Sequence, residues 1–251
     1  MHKENLFDGV TILVLAVNET ESLRRTVSVL EQALSPDDVR KILIFYPPRV
    51  TADCEAVINE LAAERFPIPV LPEKQVSAGF GESFMHVFRK EKDVTHTILW
   101  ASDGEVVPEM AALLVNAAKE DPRAFVKLSR MMKGGSQPAG KSLFLKLRDR
   151  TFCLLARVWL RTNITDVLFF CHVLFPLAPF DSYCLTEAGP SILIEVFHLF
   201  SRLGTRFIEF PVQAMQRAEA KSTIKLKQKF QVLFYLLRLG RVARTPRGKQ
   251  A

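Results

Sequence analysis

Apolar runs alternate with amphipathic stretches along the first half of the chain. Almost continuous apolar runs of this kind are typical of strands buried on both faces. They lie at 10–17, 41–46, 68–71 and 97–100. In the intervening segments apolar residues recur at helical spacing, which predicts helices over about 21–34, 52–64 and 81–88. Strands alternating with helices predict an α/β fold with a doubly wound, mostly parallel sheet.

The second half of the chain contains two segments in which apolar and basic residues are mixed. The pattern over 143–160 predicts a helix with a basic face. The apolar block 230–239 is flanked by Lys and Arg, and ten residues are too few to cross a bilayer. This block fits a helix in the membrane interface, a helix docked on the core, or a homo-oligomer contact. We therefore expect a domain over 1–223 and a basic amphipathic helix and tail over 224–251.

Composition and charge narrow the class of protein. The 251 residues are 48% hydrophobic and 24% charged, which is ample for one folded domain. The net charge of +7 is concentrated over 217–251, where ten Lys and Arg stand against Glu219 alone. A basic tail suits an anionic membrane surface, and no recognised nucleic-acid motif accompanies it. The first residues lack the form of a signal peptide. The four cysteines lack metal-site spacing, and we expect them to be reduced residues of the core. Both observations predict a cytoplasmic location.

Candidate chemistry follows the predicted strands. Asp103 and Glu105 come directly after the run 97–100, and ligands of open α/β sheets bind beyond the carboxyl ends of strands. Two such carboxylates suit Mg²⁺ or Mn²⁺ holding a diphosphate, and a solvated acidic loop is the alternative. Asn18 and Glu19 would lie at the same edge, with turn formation as their alternative role. The chain has no P-loop, and Gly81, at the start of a predicted helix, is a candidate for phosphate contact.

Several short motifs resemble those of family-2 glycosyltransferases, and they occur in the order that this family has. The segment 15–19 (Leu-Ala-Val-Asn-Glu) is similar to the family's first-strand motif Pro-Ala-Tyr-Asn-Glu. Asp103 with Glu105 resembles its metal-binding DxD element. The other matching residues are Ser129-Arg130 with Gly134-Gly135, Thr165-Asp166, Glu195, Gly204, the segment 209–212, Arg217 and Ser222. The resemblance spans about 10–223, is nearest to the dolichyl-phosphate mannose and glucose synthases, and implies the GT-A fold.

The resemblance implies transfer of a sugar from a nucleoside-diphosphate sugar to a polyprenyl phosphate, or to a glycan or lipid hydroxyl. Asp103 and Glu105 would hold Mg²⁺ or Mn²⁺, and Arg130 and Arg217 would stabilise the departing diphosphate. A phosphate acceptor needs no general base, whereas a hydroxyl acceptor would need Asp166, whose alternative role is helix capping. The donor-binding residues implied in this way are Asn18, Glu19, Gly81, Asp103 and Ser222.

The chain departs from the family pattern at several positions. Tyr46-Pro47-Pro48-Arg49 follows the second strand where the family carries a base-binding aspartate, and Ala101 replaces the first aspartate of the DxD element. Cys171-His172-Val173 stands where a Gly-Phe-Arg is usual in the acceptor region. The loop after the fourth strand therefore offers at most two side-chain ligands to a metal. A non-catalytic relative that binds a sugar nucleotide or a glycan is the alternative function.

Overall fold

The computed structural model describes residues 7–76, 80–169, 171–187, 189, 191–217 and 226–242. Ser222, the expected boundary at 223/224 and the basic residues beyond 242 lie outside these ranges, so the predictions made for them stay predictions.

The core of the protein is a seven-stranded sheet in the order β3-β2-β1-β4-β6-β5-β7. Only β6 runs antiparallel to its neighbours, β4 and β5; the other pairings are parallel. The strands are β1 (Val10–Leu15), β2 (Val39–Tyr46), β3 (Val70–Lys74), β4 (His96–Ala101), β5 (Phe125–Ser129), β6 (Val173–Pro176) and β7 (Phe207–Pro211). The predicted α/β class with a mostly parallel sheet is confirmed.

Seven helices cover the two faces of this sheet in the described part of the chain. They are α1 (Glu21–Ala33), α2 (Ala52–Ala63), α3 (Phe80–Lys90), α4 (Ala111–Glu120), α5 (Leu143–Leu160), α6 (Ile192–Arg202) and α7 (Leu226–Val242). Two short 3₁₀ turns, Pro108–Met110 and Ala178–Asp181, precede α4 and follow β6. The predicted bounds of α5 are reproduced, and those of α1, α2 and α3 differ by one or two residues.

The third strand differs most from its prediction, which placed it at 68–71. It begins at Val70, which pairs with Ile42 of β2, and the preceding carbonyl of Pro69 accepts a hydrogen bond from the N–H of Ile42. The strand continues through Pro72, a residue that the apolar pattern treats as a breaker. Proline is tolerated here because β3 is an edge strand, where one side of the backbone needs no ladder partner.

Two apolar clusters lie on opposite faces of the sheet, one on each face. In β1, Ile12 and Val14 face α1, α2 and α4, whereas Leu13 faces α3, α5 and α6. This arrangement places helices on both faces, as a doubly wound sheet requires. Of the four cysteines expected in the core, Cys54 and Cys153 are buried, but Cys184 is exposed. The expectation for Cys184 is wrong because this residue lies in the irregular segment after the second 3₁₀ turn, where its Sγ accepts from Arg89.

Helix α7 is docked on the second apolar cluster and packs against α5 and α6. Leu236 is completely buried, and Val232, Tyr235 and Leu239 pack around it. The face of α7 that contains Leu236 is therefore docked on the core, which is one of the three alternatives given for the block 230–239. Phe234 of the same helix remains exposed. Among the described residues, no helix combines the length and apolar character needed to cross a membrane.

Candidate functional site

Asp103 and Glu105 lie in the loop directly beyond the end of β4. Ser102 anchors this loop because its hydroxyl donates to the carbonyl of Leu15 at 2.7 Å. The carboxylate of Asp103 accepts a hydrogen bond from the N–H of Glu105 at 3.0 Å, and Gly104 provides the positive φ of the turn. Both carboxylates are buried, with 6% and 5% of their residues' surface exposed. A solvated acidic loop, the alternative for these residues, is therefore excluded.

Arg217 places one guanidinium nitrogen between these two carboxylates. Its Nε lies 3.0 Å from Oδ2 of Asp103 and 3.3 Å from Oε2 of Glu105. The backbone holds this segment in place, because the N–H of Met215 donates to the carbonyl of Glu105 at 2.9 Å. Two acidic oxygens thus converge on one position, which the side chain of Arg217, itself 40% exposed, fills with positive charge.

Arg130 continues the network inward from the end of β5. Its Nη1 donates to Oε1 of Glu105 at 3.1 Å, and its Nε and Nη2 donate to the two oxygens of Asp166 at 2.8 and 3.2 Å. Its guanidinium also stacks over the ring of Phe169, 4.2 Å from the centroid. Arg130 is therefore fixed by a fork on Asp166 and by an aromatic face, which is the geometry that suits arginine best.

Lys127 and Glu209 form a deeper layer of the network. The sequence analysis missed Lys127, and it matched Glu209 to the family pattern without giving it a partner. The completely buried Nζ of Lys127 donates to the carbonyls of Asp166 at 2.7 Å and Leu128 at 2.9 Å, and lies 3.4 Å from Oε1 of Glu209. The other oxygen of Glu209 accepts from the N–H of Thr165 at 2.7 Å. The available signal was a lysine inside the apolar strand run 125–129, since a charge there must have a buried partner.

Electrostatics favour the charged forms of Arg130 and Asp166, whereas burial lowers the pKa of their neighbour Lys127 although Asp166 and Glu209 act in the opposite direction. Burial opposes the charge of Asp166, but Arg130 and Lys127 outweigh it and hold the pKa of that carboxyl below its ordinary value. Burial likewise opposes the charge of Arg130, but Asp166 and Glu105 outweigh it and raise its pKa. At the outer edge, burial raises the pKa of Asp103 although Arg217 acts in the opposite direction.

Asp166 lies at the centre of the network and is completely buried. Its two oxygens accept from Arg130, and its Oδ1 also lies 3.8 Å from Sγ of Cys153. A carboxylate with a lowered pKa and occupied oxygens is a poor proton acceptor. This geometry suits a residue that orients Arg130 better than one that receives a proton from an acceptor hydroxyl.

The remaining candidates have structural partners. Oε2 of Glu19 accepts from the N–H groups of Val17 and Asn18 at 2.7 and 3.0 Å, so Glu19 shapes the turn after β1. Asn18 is exposed beyond the same strand end. Gly81 packs directly against the carbonyl of Glu187, where a Cβ would collide with the backbone. Close packing thus accounts for this glycine, and its predicted phosphate contact has no support from this arrangement.

Two of the buried carboxylates are suited to bind a divalent cation. Asp103 and Glu105 supply two hard oxygens that converge on a common point, as Mg²⁺ and Mn²⁺ require, and a diphosphate and water can complete the octahedron. The described residues contain no cluster of three or more His, Cys, Asp or Glu able to hold a metal by themselves. A cation at this point would therefore need the guanidinium of Arg217 to move aside.

The fold matches that of GT-A glycosyltransferase structures. Glucosyl-3-phosphoglycerate synthase from Mycobacterium tuberculosis, in complex with Mg²⁺ and uridine diphosphate, matches with a TM-score of 0.65 at 15% identity, over 93% of this chain and 80% of that one. Its complex with Mn²⁺, UDP-glucose and phosphoglyceric acid matches with a TM-score of 0.62, also at 15% identity and with the same shares of the two chains. No protein-family model and no curated protein sequence matches the chain. At this identity the likeness establishes the fold.

Proposed function

We propose that this protein is a glycosyltransferase that moves a sugar from a nucleoside-diphosphate sugar to an acceptor. The observation that carries the proposal is the convergence of Asp103, Glu105, Arg130 and Arg217 in one network beyond the ends of β4 and β5. Acidic and basic groups at that edge of a GT-A sheet are suited to a metal-bound diphosphate. The solved structures of the same fold with UDP-glucose and Mn²⁺ support it.

The residues divide into those that contact the donor and those that position them. Asp103 and Glu105 would hold Mg²⁺ or Mn²⁺, which when bound supplies positive charge beside the donor diphosphate. Arg217, the more exposed of the two arginines, is the cation that can turn from these carboxylates to the diphosphate. Arg130 acts from behind Glu105, held in place by Asp166. Asn18, Glu19 and the undescribed Ser222 remain proposed donor contacts.

The acceptor that suits this site best is a phosphate. A phosphate oxygen is already a nucleophile, and Asp166, the base candidate for a hydroxyl acceptor, has both oxygens occupied. Polyprenyl phosphate, which the family-2 resemblance implies, is one such acceptor. The complexes of the M. tuberculosis synthase with phosphoglyceric acid support a small phosphorylated acceptor. That molecule also carries a hydroxyl group, so these complexes do not favour the phosphate oxygen as the nucleophile.

A second candidate function is non-catalytic binding of a sugar nucleotide. It is favoured by the fact that Asp103, Glu105, Asp166 and Glu209 all have a basic partner within 3.4 Å. A fully paired network can be a structural feature of the fold, since buried carboxylates need such partners. Ala101 in the DxD position points in the same direction.

Calorimetric titration with UDP, GDP and dTDP, each with and without Mn²⁺, distinguishes the two functions. We expect one nucleotide to bind with Mn²⁺ and to lose that dependence in the double variant Asp103→Asn, Glu105→Gln. The matched control is Glu109→Gln, an exposed acid a few residues along the same segment. The corresponding nucleotide sugar should then be consumed in the presence of a phosphorylated acceptor.

Binding without Mn²⁺ and without sugar consumption would support the non-catalytic function. If none of the nucleotides binds to a folded wild-type protein, both functions are wrong.

A further inference from the structure

Helix α5 presents an unusually apolar outer surface. Six large side chains on this helix are exposed, with values between 36% and 82% of their full surface: Leu143, Phe144, Leu147, Leu154, Leu155 and Val158. Most of them recur at spacings of three, four or seven residues, so they form a stripe along the helix. The inner face is buried through Cys153, Ala156 and Leu160. Contiguous exposed apolar surface of this kind marks an interaction site.

Basic side chains flank this stripe. Helix α5 and its C-cap carry five of them: Lys146, Arg148, Arg150, Arg157 and Arg161. The one acid of the helix, Asp149, is buried and paired with Lys141 and Arg148. Within the described ranges the other four cations have no carboxylate partner. The outer face of α5 therefore offers apolar and positive groups together, without exposed negative charge.

We propose that α5 docks the protein onto an anionic lipid surface, with the apolar stripe in the interface and the basic side chains on the lipid headgroups. Helices that lie in the membrane plane combine these two features. A second copy of the chain is a poorer partner for this face, because two such helices would bring like charges together. The cations are complementary to phosphate-bearing lipids and not to each other.

The outer face of α5 lies close to the charge network. The inner face of the helix contacts the charge network, with Cys153 next to Asp166. A helix with its side chains is about 10 Å across, so the proposed lipid surface lies roughly one helix diameter from the network. This surface is distinct from α7, whose residues Val232, Tyr235 and Leu239 pack on the core. The proposal is independent of the proposed catalytic activity, since lipid binding needs neither donor nor metal.

Flotation of the full chain with phosphatidylcholine vesicles, with and without phosphatidylserine, tests the proposal. We expect binding to the anionic vesicles, weakened by high salt. The triple variant Phe144→Ser, Leu147→Ser, Leu154→Ser should bind at least about tenfold more weakly, since its apolar contacts are lost. Replacing exposed side chains leaves the core intact, and the variant's thermal unfolding should match that of the wild type. Leu203→Ser, an exposed leucine at the end of α6, is the matched control.

A second variant, Arg150→Gln with Arg157→Gln, should reduce the preference for anionic over neutral vesicles and leave folding unchanged. Sedimentation should show the same molecular mass for the wild type and the triple variant. Three results would overturn the proposal: no binding of the wild type to either vesicle, unchanged binding of the triple variant, or a wild-type dimer that the triple variant dissociates. The second result would assign lipid binding to another segment, and the third would assign α5 to a homodimer.

Discussion

Arg217 and a divalent cation would compete for the same two oxygens. The Nε of Arg217 lies within 3.3 Å of both Asp103 and Glu105, so its positive charge is in the place where a metal would be coordinated. The free protein must therefore exchange one cation for another when a metal binds. This competition lowers the metal affinity of the protein without donor, and it leaves Arg217 free for the diphosphate once the metal is in place.

Arg217→Gln should therefore raise the affinity for Mn²⁺ in the absence of nucleotide, by several-fold and up to about tenfold. Sugar transfer by the same variant should fall, because the cation facing the diphosphate is gone. Mn²⁺ titration followed by electron paramagnetic resonance measures the first effect. Arg206→Gln, an exposed pair with Asp121, is the control. Unchanged Mn²⁺ affinity would show that Arg217 does not compete with the metal.

Asp166→Asn separates a positioning role from a base role. Removing one charge of a buried ion pair leaves Arg130 without compensation, so the free energy of unfolding should fall by about 3 kcal/mol. The control Asp121→Asn breaks an exposed pair and should cost less than about 1 kcal/mol. Urea unfolding measures both. A variant with wild-type stability and no activity would instead identify Asp166 as the base.

The turn after β5 fixes the position of Arg130. The segment folds back so tightly that a Cβ on Gly135 would lie 2.6 Å from the carbonyl oxygen of Ser129 and 3.1 Å from Cα of Arg130. Gly134 has φ of 89°, a conformation open mainly to glycine. The Ser-Arg and Gly-Gly segments therefore pack directly on each other.

Gly135→Ala should therefore displace Arg130, because the atoms that it meets belong to the backbone and cannot turn away. We expect a loss of stability of about 1–3 kcal/mol and a lower nucleotide affinity. Gly189→Ala is the matched control, since a Cβ there meets no atom of the described residues within 4 Å. Thermal unfolding and calorimetry measure the two effects. Equal behaviour of the two variants would mean that the turn relaxes without moving the arginine.

The sequence predicted the helices, the strands and the motif residues better than it predicted which charged side chains pair with each other. Apolar periodicity placed α5 within its observed bounds, and strand ends placed Asp103 and Glu105 at the sheet edge. Pairing depends on side chains that are distant along the chain, so Lys127 with Glu209 and Arg217 with Asp103 could not be derived from spacing. The six exposed apolar residues of α5 were also missed, because helical periodicity does not show which positions of a mostly apolar helix are covered.

The buried charges of the whole protein connect its two helix layers. The guanidinium of Arg130 lies on the ring of Phe169, which belongs to the apolar cluster of α1, α2 and α4, whereas Asp166 lies next to Cys153, which belongs to the cluster of α3, α5 and α6. Buried charge is therefore part of the interior beside both clusters. The stability of the molecule should accordingly depend on the protonation of a few buried groups.

His172 is the buried group whose protonation is easiest to isolate. It is 1% exposed, its ring lies against those of Trp100 and Phe169, and neither ring nitrogen has a hydrogen-bond partner within the described part of the chain. Burial lowers the pKa of His172 to about 3, and the positive charges of Arg130 and Arg217 act in the same direction. The folded protein thus keeps this ring neutral, whereas an unfolded chain protonates it near pH 6.5.

Stability should therefore fall as the pH falls from about 6.5 toward about 3, because the unfolded state binds the additional proton in that window. Between about pH 7 and pH 5 the contribution of His172 amounts to roughly 2 kcal/mol. Burial also lowers the pKa of His96 and His198, so the wild-type slope contains their contributions as well. The variant His172→Asn isolates the effect, since asparagine tolerates the φ of 80° at this position and does not titrate. Urea unfolding across this range should show the wild type losing about 2 kcal/mol more than the variant, and parallel curves would show that His172 is protonated in the folded protein.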